Sequence, residues 1–582
     1  MASTFNGLEV AKRALHAQQS ALYTTGHNIA NANTEGYTRQ RVNFEQTSPY
    51  PPASRNRPEI AGQIGSGVEA GSIERIRDSF IDKQYRQENT KVGFYETKAD
   101  MMSKLETILN EPSEQGISQT FDLFWKSLQD LSVNPEDSGS RSVVKERAVA
   151  LAEVFNYAHD SLQQVRGNLK DEIGVDGKAI NSLIDQINQL NGQIAKIEPH
   201  GYVPNDLYDE RDRLVDQLSS YVDIKVDYKK SSGQPSPIAQ GIATITLNSD
   251  PSTTQNSAEQ IVLVDGTGEN GAIPGSDDAV NHMYVDFDNE NNARAVFFVD
   301  PNRDPDVKSE DYVAQLVNES VSGTESHIII YADDFNINGK VDALLDGTGY
   351  LTNFDYASYD VDNEYSSTGE INDILNDLDK LVKNFVTEFN TVHSEGFDLE
   401  GDQGIANFFV GYDKDGNETT EITADNIAVN SIIKNDVNKI AASTNEDHDG
   451  DGVNDGGASG NGSNAVNLAD VYTKRAEEYA GYDVDDIGED DFQPKTSAKS
   501  FFESIIGELG VITQESNRMQ SNSQVLRQQV EESRQAISSV SLDEEMTNLI
   551  QFQHAYNAAA RNMTVVDEML DRIINNMGLV GR

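Results

Sequence analysis

The sequence predicts a mainly α-helical protein with an inserted β-rich middle, and three observations carry that expectation. Near the N-terminus Leu8, Leu15, Leu22 and Ile29 recur at seven-residue intervals, the spacing of a coiled-coil seam. Near the C-terminus Leu549, Phe552, Tyr556, Ala559, Met563, Val566, Leu570, Ile573 and Met577 alternate spacings of three and four, and all are apolar. Between about 225 and 335 the runs "IATITL", "QIVLVD", "HMYVDF" and "HIIIYA" are separated by Gly, Pro, Asn and Asp, the pattern of an antiparallel β domain.

Taken in order, the first helix covers "LEVAKRALHAQQSALYTTGHNI", with Ala11 at an intervening seam position and Gln18 and Thr25 weakening the others. Its exit is "HNIANANTEGYTRQRV", residues 27–42. Asn31 and Asn33 suit a left-handed backbone at a helix end, Gly36 allows a turn, and the residues from Tyr37 onward read as extended. "KADMMSKLETILNEP", "VVKERAVALAEVFNYAHDSLQQVRGNLKDEI" and "INSLIDQINQLNGQIAKIE" read as three long amphipathic helices. "NDILNDLDKLVKNFVTEFNTVH" and the stretch from about 497 to 538 read the same way. The last helix opens on "SLDE": Ser541 can cap it, Glu544 stands at the reciprocal position, and Asp543 to Glu545 suit the positive helix end.

A chain of 582 residues exceeds what one core usually supports. The expected division is a terminal coiled-coil domain from 1–75 plus 540–582 and a helical-bundle domain from 76–228 plus 464–539. A β-rich domain follows from 229–440, with one or more helices near 370–393, and an acidic loop covers 441–463. Ordering some thirty residues at each end outweighs the burial of one apolar stripe, so the terminal helices are expected to depend on each other or on further copies.

The 97 acidic against 45 basic side chains give a formal charge of −52. That balance argues against nucleic acid, which needs clustered Lys and Arg, and against an anionic membrane surface. The chain has no cysteine, so disulfides and thiolate metal sites are excluded. The N-terminus lacks the apolar core of a secretory signal, and no run of 18 apolar residues is present for membrane insertion.

Recognisable catalytic spacing is missing. The nine histidines never pair at i,i+4, so no H-E-x-x-H motif exists, and neither a Walker loop nor a G-x-S-x-G elbow occurs. Gly266, Gly268 and Gly271 form G-x-G-x-x-G after a strand, but "AIPGSDDAVN" follows where a phosphate-binding helix should open; an ordinary β-turn is expected. No cofactor is required on this reading, and calcium is the one candidate. Asp447, Asp449, Asp451 and Asp455 occupy positions 1, 3, 5 and 9 of a loop with Gly452 at position 6, as in calcium loops. Position 12 is Ala458 and no helix clearly flanks the loop, which leaves a solvated acidic insertion as the competing reading.

The stretch 27–42 with its preceding helix resembles the N-terminal signature of bacterial flagellar axial proteins, the rod, hook and hook-associated family. "SLDEEMTNLIQFQHAYNAAARNMTVVDEMLDRIINN" resembles the C-terminal signature of the same family. "GYTRQRV", "PNDLYDERDRLVDQLS" (204–219), "FNTVHSEGFDLEGDQGIANFF" (389–409) and "IAVNSIIKNDVNKIAAS" are similar to its hook-associated branch at the hook–filament junction. The resemblance implies a non-enzymatic structural adaptor, exported through the flagellar channel and residing outside the cell after a transient cytoplasmic stage. It implies a homo-oligomer in a tubular assembly, hook protein and the second hook-associated junction protein as neighbours, and a cytoplasmic export chaperone on the C-terminal helix. The β-rich part becomes an outer domain. The expected assembly interface comprises Leu8, Leu15, Leu22, Ile29, Asn31, Gly36, Tyr37, Leu549, Phe552, Tyr556, Met563, Val566, Leu570 and Ile573. Another axial component, or a surface adhesin or calcium-binding module on a flagellar frame, stands as the alternative.

Overall fold

The computed structural model describes residues 4–50, 62–109, 116–248, 260–268, 272–301, 316–317, 320, 328–356, 365–404, 406–445, 457–479 and 491–576. Helix α1 (Thr4–Ala30) leads into an antiparallel hairpin of β1 (Gln40–Gln46) and β2 (Val68–Arg75) with a bulge at Asn43/Phe44. Then come α2 (Ser79–Leu109), α3 (Ile117–Val133), α4 (Ser138–Ile197) and α5 (Asn205–Tyr221). The middle holds β3 (Ile224–Lys229), β4 (Ile242–Leu247) and β5 (Val262–Val264), paired in that order, and β6 (His282–Phe287), β7 (Ala293–Val299) and β8 (Ile328–Tyr331), with β7 antiparallel to β6 and to β8. Helix α6 (Lys340–Thr348) precedes the short strands β9 (Tyr350–Leu351) and β10 (Ser367–Thr368), which extend the β7 sheet. Helix α7 (Glu370–Glu395) is followed by β11 (Phe409–Tyr412), flanked by β12 (Glu418–Thr419) and β13 (Ile427–Val429). Two long helices close the described chain, α8 (Ala498–Ser538) and α9 (Leu542–Asn576). The fold is thus helical with a β-containing middle, as the patterning predicts.

The two helices expected over about 143–198 are one. Helix α4 runs 60 residues without a break, about 90 Å at the α-helical rise. Gly174 and Gly177 sit inside it, yet each glycine costs only about 1 kcal/mol relative to alanine. Buried Ile173, Ile180, Ile184 and Ile187 on the same helix offset that cost.

One hydrophobic core extends from Met101 on α2 through α3, α4, α5, the sheets and α7 to Leu509 on α8. Its centre is aromatic: Phe121 stacks on Tyr472 at 4.7 Å and meets Phe385 edge-on at 5.1 Å. Phe389, Phe408 and Phe409 pack around Phe124, which places the two ends of the 389–409 stretch in the core. A second cluster, with Phe297, Phe354 and Tyr356, fills the other face of the β7 sheet. Neither cluster takes a residue from α1 or α9.

Of the glycine-rich run after β5, Gly266 and Gly268 are described and Gly271 lies outside the described residues. Asp265 accepts hydrogen bonds from the Thr267 backbone N–H at 2.7 Å and its hydroxyl at 2.6 Å. Gly275 then lies against α4, where a Cβ on Gly192 would stand 2.8 Å from the Gly275 Cα. Asn188 ties the same turn to α4 by accepting from Gly275 N–H at 2.9 Å and donating to the Ser276 carbonyl at 2.6 Å.

An ionic neck joins the terminal segments to this core. Asp209, Asp212 and Asp216 lie three and four residues apart and so share one face of α5. Arg75 reaches Asp209 at 2.7 Å and Asp212 at 3.0 Å; Arg77 reaches Asp212 at 3.2 Å and Asp82 on α2 at 2.5 Å. Arg86 pairs with Asp216 at 2.8 Å, and Arg534 on α8 with Asp216 at 2.6 Å. Burial disfavours the Asp212 charge, but Arg77, Arg75, Arg211 and Arg86 outweigh it and hold the carboxyl well below the usual range. Tyr228 donates its hydroxyl to the same carboxylate at 3.0 Å.

Removing one partner from a buried ionic cluster strands the other charges. Asp212→Asn is therefore expected to destabilise the fold by about 3–5 kcal/mol, read from denaturant unfolding. Because the folded carboxyl titrates below its unfolded value of about 3.9, its contribution is complete above that pH and is lost as pH falls below it. The variant should show a shallower acid limb below about pH 4; an unchanged limb would contradict this role.

Candidate functional site

The site builds outward from the exit of α1. The Asn31 N–H and side-chain amide both donate to the His27 carbonyl, at 3.0 and 3.1 Å, closing the helix end. The left-handed backbone expected at Asn31 and Asn33 does not occur; among described non-glycine residues only Asn291, Asn338 and Asn353 have positive φ. A side-chain amide satisfies the helix end here, so the reversal falls to Gly36, at φ +79°. A Cβ there would stand 3.3 Å from the Arg213 Cβ on α5.

Asn28, one turn inside the helix, is 1% exposed and uses its whole amide. Its oxygen accepts from the Gln40 N–H at 3.0 Å and the Tyr37 hydroxyl at 2.8 Å. Its nitrogen donates to the Gln40 carbonyl at 2.8 Å and to Glu545 on α9 at 3.1 Å. Four bonds are the full capacity of an asparagine side chain. Glu545, also buried, accepts from Arg39 Nε at 2.8 Å, and Arg39 reaches Glu544 at 2.8 Å. The Arg39 N–H donates to the Ser538 carbonyl at 2.9 Å. Burial, with Asp206, Asp209 and Glu545 nearby, pushes the Tyr37 phenol well above its usual range and keeps it a donor.

This corner is fastened to α5. Thr38 N–H donates to Asp209 at 3.1 Å, Gln40 donates to Asp206 at 3.0 Å, and Asn205 donates to Gln40 at 3.2 Å. Sequence reasoning did not find Asn28, Arg39 or Glu545 as a unit, because 517 residues separate Asn28 from Glu545. The carboxylates at 206, 209, 212 and 216 were not singled out either, because acidic pairs are common in a chain with 97 carboxylates.

From the corner α1 runs antiparallel to α9, since Asn28 meets Glu545 and Gly7 lies against Val566. On α9 Leu549, Phe552, Tyr556, Met563, Val566 and Leu570 are half-buried, Ala559 is buried and Ile573 is 37% exposed. Phe552 meets Phe44 of the hairpin edge-on at 6.0 Å. On α1 the deepest residues are Ala11, Ala17, Ala21, Thr24, Thr25 and Asn28, while Leu8, Leu15, Leu22 and Ile29 are half-buried. Helix α1 is held between α9 and the hairpin, where Arg13 donates to the Ser66 carbonyl at 3.3 Å, and small side chains permit that double contact. Outward, Leu542, Met546, Ile550, Val565, Met569 and Ile574 of α9 are exposed together with Phe5 and Tyr23 of α1.

Among the described residues, two groups carry ligand-type atoms close together. In one, Asp398, Glu400 and Asp402 surround the Lys439 ammonium at 2.9, 2.7 and 3.6 Å, so a lysine already supplies the positive charge. The other contains His159. The loop of Asp447, Asp449, Asp451 and Asp455 lies outside the described residues. None of the described helices is long and apolar enough to cross a membrane.

Asn28→Ala would leave the Gln40 N–H and C=O without their partners, at about 1–3 kcal/mol for unsatisfied buried groups. Hydrogen exchange should accelerate in 4–46 and 542–576 while the aromatic core around Phe121 keeps its protection. Equal acceleration in both regions would contradict a local clasp.

Three family models match in separate places: "Flagellar hook-associated protein FlgK helical domain" over residues 102–293, "Flagella basal body rod protein" over 8–38, and "Flagellar basal body rod FlgEFG protein C-terminal" over 533–577. The chain is 25% identical to flagellar hook-associated protein 1 of Escherichia coli, over 97% of this chain and 98% of that one. The solved flagellar hook junction protein FlgK of Burkholderia pseudomallei shares the fold at a TM-score of 0.52 and 13% identity, over 79% of this chain and all of that one. Identity reaches 39% with flagellar hook-associated protein 1 of Bacillus subtilis over the full length of both chains. The chain belongs to the flagellar hook-associated protein 1 family.

Proposed function

We propose that this protein is a structural adaptor of the bacterial flagellum that joins hook to filament. One observation carries the reading. The chain's two ends form a helix pair that contributes nothing to either core, is clasped at one end by Asn28, Arg39 and Glu545, and leaves apolar side chains exposed along its length. Such a face is costly in water and suits a place inside an assembly. Further copies of this chain in a tubular array, hook protein below and the second hook-associated junction protein above are its proposed neighbours.

The mechanism is geometric. The helix pair supplies axial packing, the neck around Asp212 transmits its orientation, and the large core carries the acidic domains outward. Before assembly, the exposed side of α9 from Leu542 to Ile574 would be covered by a cytoplasmic export chaperone. Nothing in this reading uses catalysis.

Substitutions that place a charge in the helix pair separate folding from assembly. Leu22→Glu and Met563→Glu are expected to abolish swimming and junction formation, with at most a small change in the unfolding midpoint of the core. Immunogold microscopy of complemented cells, with antibody to residues 230–365, should show a narrow band between hook and filament for the parent and none for either variant. Normal junctions in both variants would refute the assigned role of the pair. Labelling along the whole hook of the parent would make the protein a hook component.

A further inference from the structure

Helix α4 carries a second cluster that the adaptor role does not use. Asn156 donates to the carbonyls of Ala424 and Asp425, each at 2.8 Å, and the Ala424 N–H donates to Asp379 on α7 at 2.7 Å. The loop between β12 and β13 is thereby fixed against two helices. One turn after Asn156, His159 points its Nδ1 at this loop, 3.6 Å from an Asp425 oxygen and 3.9 Å from an oxygen of Asp160. The His159 side chain is only 16% exposed, and its Nδ1 is sealed from solvent and without a hydrogen-bond partner. Asp160 and Asp425 are exposed. The three ligand-type atoms all lie within 4.8 Å of one another.

We propose that His159, Asp160 and Asp425 form a surface binding site for a divalent first-row transition-metal ion such as zinc. A buried imidazole nitrogen with no partner costs free energy, and an ion between it and the two carboxylates would satisfy all three. Tetrahedral bonds of about 2.0–2.2 Å set ligand atoms about 3.3–3.6 Å apart, which the His159–Asp425 separation of 3.6 Å already matches; the 3.9 Å to Asp160 needs a small rotation of that exposed side chain. One imidazole nitrogen with two carboxylates suits zinc, cobalt or nickel, whereas magnesium and calcium favour oxygen alone. The exposed side leaves coordination positions for water. The occupied site would pin the β12–β13 loop to α4 and stiffen the junction of α4, α7 and the small sheet.

The test uses the full-length protein, stripped with chelator. Zinc titration by calorimetry is expected to show one site per chain, and cobalt to give the visible absorption of a bound ion. Zinc should also raise the unfolding midpoint by mass action. His159→Gln and Asp425→Asn should each weaken zinc by at least about tenfold and remove the thermal shift, while an Asp447→Asn, Asp449→Asn double variant keeps both. Asp425→Asn alters an exposed loop residue, so it reports even if His159→Gln disturbs the helix. Unchanged zinc binding in both variants would overturn the proposal, as would a parent protein that takes up no zinc.

Discussion

The amide of Asn28 is the constraint on which the rest depends. It fixes the main chain of Gln40 at both its N–H and its C=O and spends its last donor on Glu545. One buried side chain therefore sets the angle at which the chain leaves α1 and the place where α9 begins. Arg39 completes the unit by neutralising Glu545 and holding the Ser538 carbonyl, at the point where α8 gives way to α9. A buried carboxylate in this position is tolerable because Asn28 and Arg39 both pair with it.

Beneath the clasp, the neck converts local order into orientation of the whole molecule. Two chain segments cross it, 76–78 and 539–541, and rigid-body freedom would be the default for so narrow a connection. Arginines from the hairpin exit, α2 and α8 converge on one acidic face of α5. In a chain of net charge −52 this concentration of arginine is local, and it sits where the assembling ends meet the core. On the adaptor role proposed above such a joint matters, since a protein joining hook to filament would pass geometry along its length.

Much of this was legible in the sequence, for physical reasons that also mark where legibility stopped. Periodicity is local, so the stripe from Leu549 to Ile573 and the short β runs of the middle could be read from spacing alone. Which residues lie deepest was not local: α1 is gripped from two sides, and that favours Ala11, Ala17 and Ala21 at the closest contacts. The continuity of α4 was hidden because isolated glycines resemble punctuation, although their penalty is small against a long buried face. At the corner, Asn31 satisfies the helix end with its side chain rather than its backbone, a choice that propensity does not distinguish. The partnership of Asn28 with Glu545 had no sequence signal beyond the presence of both in the two terminal signatures.

The most direct test of this account is the distance between α1 and α9 in the unassembled chain. The protein has no native cysteine, so Lys12→Cys and Asn562→Cys, both exposed, can carry spin labels without competition. Pulsed dipolar spectroscopy should give one narrow distance distribution in the parent background. It should broaden when Asn28→Ala is added. A broad distribution in the parent, unchanged by that substitution, would mean that assembly rather than the clasp brings the two ends together.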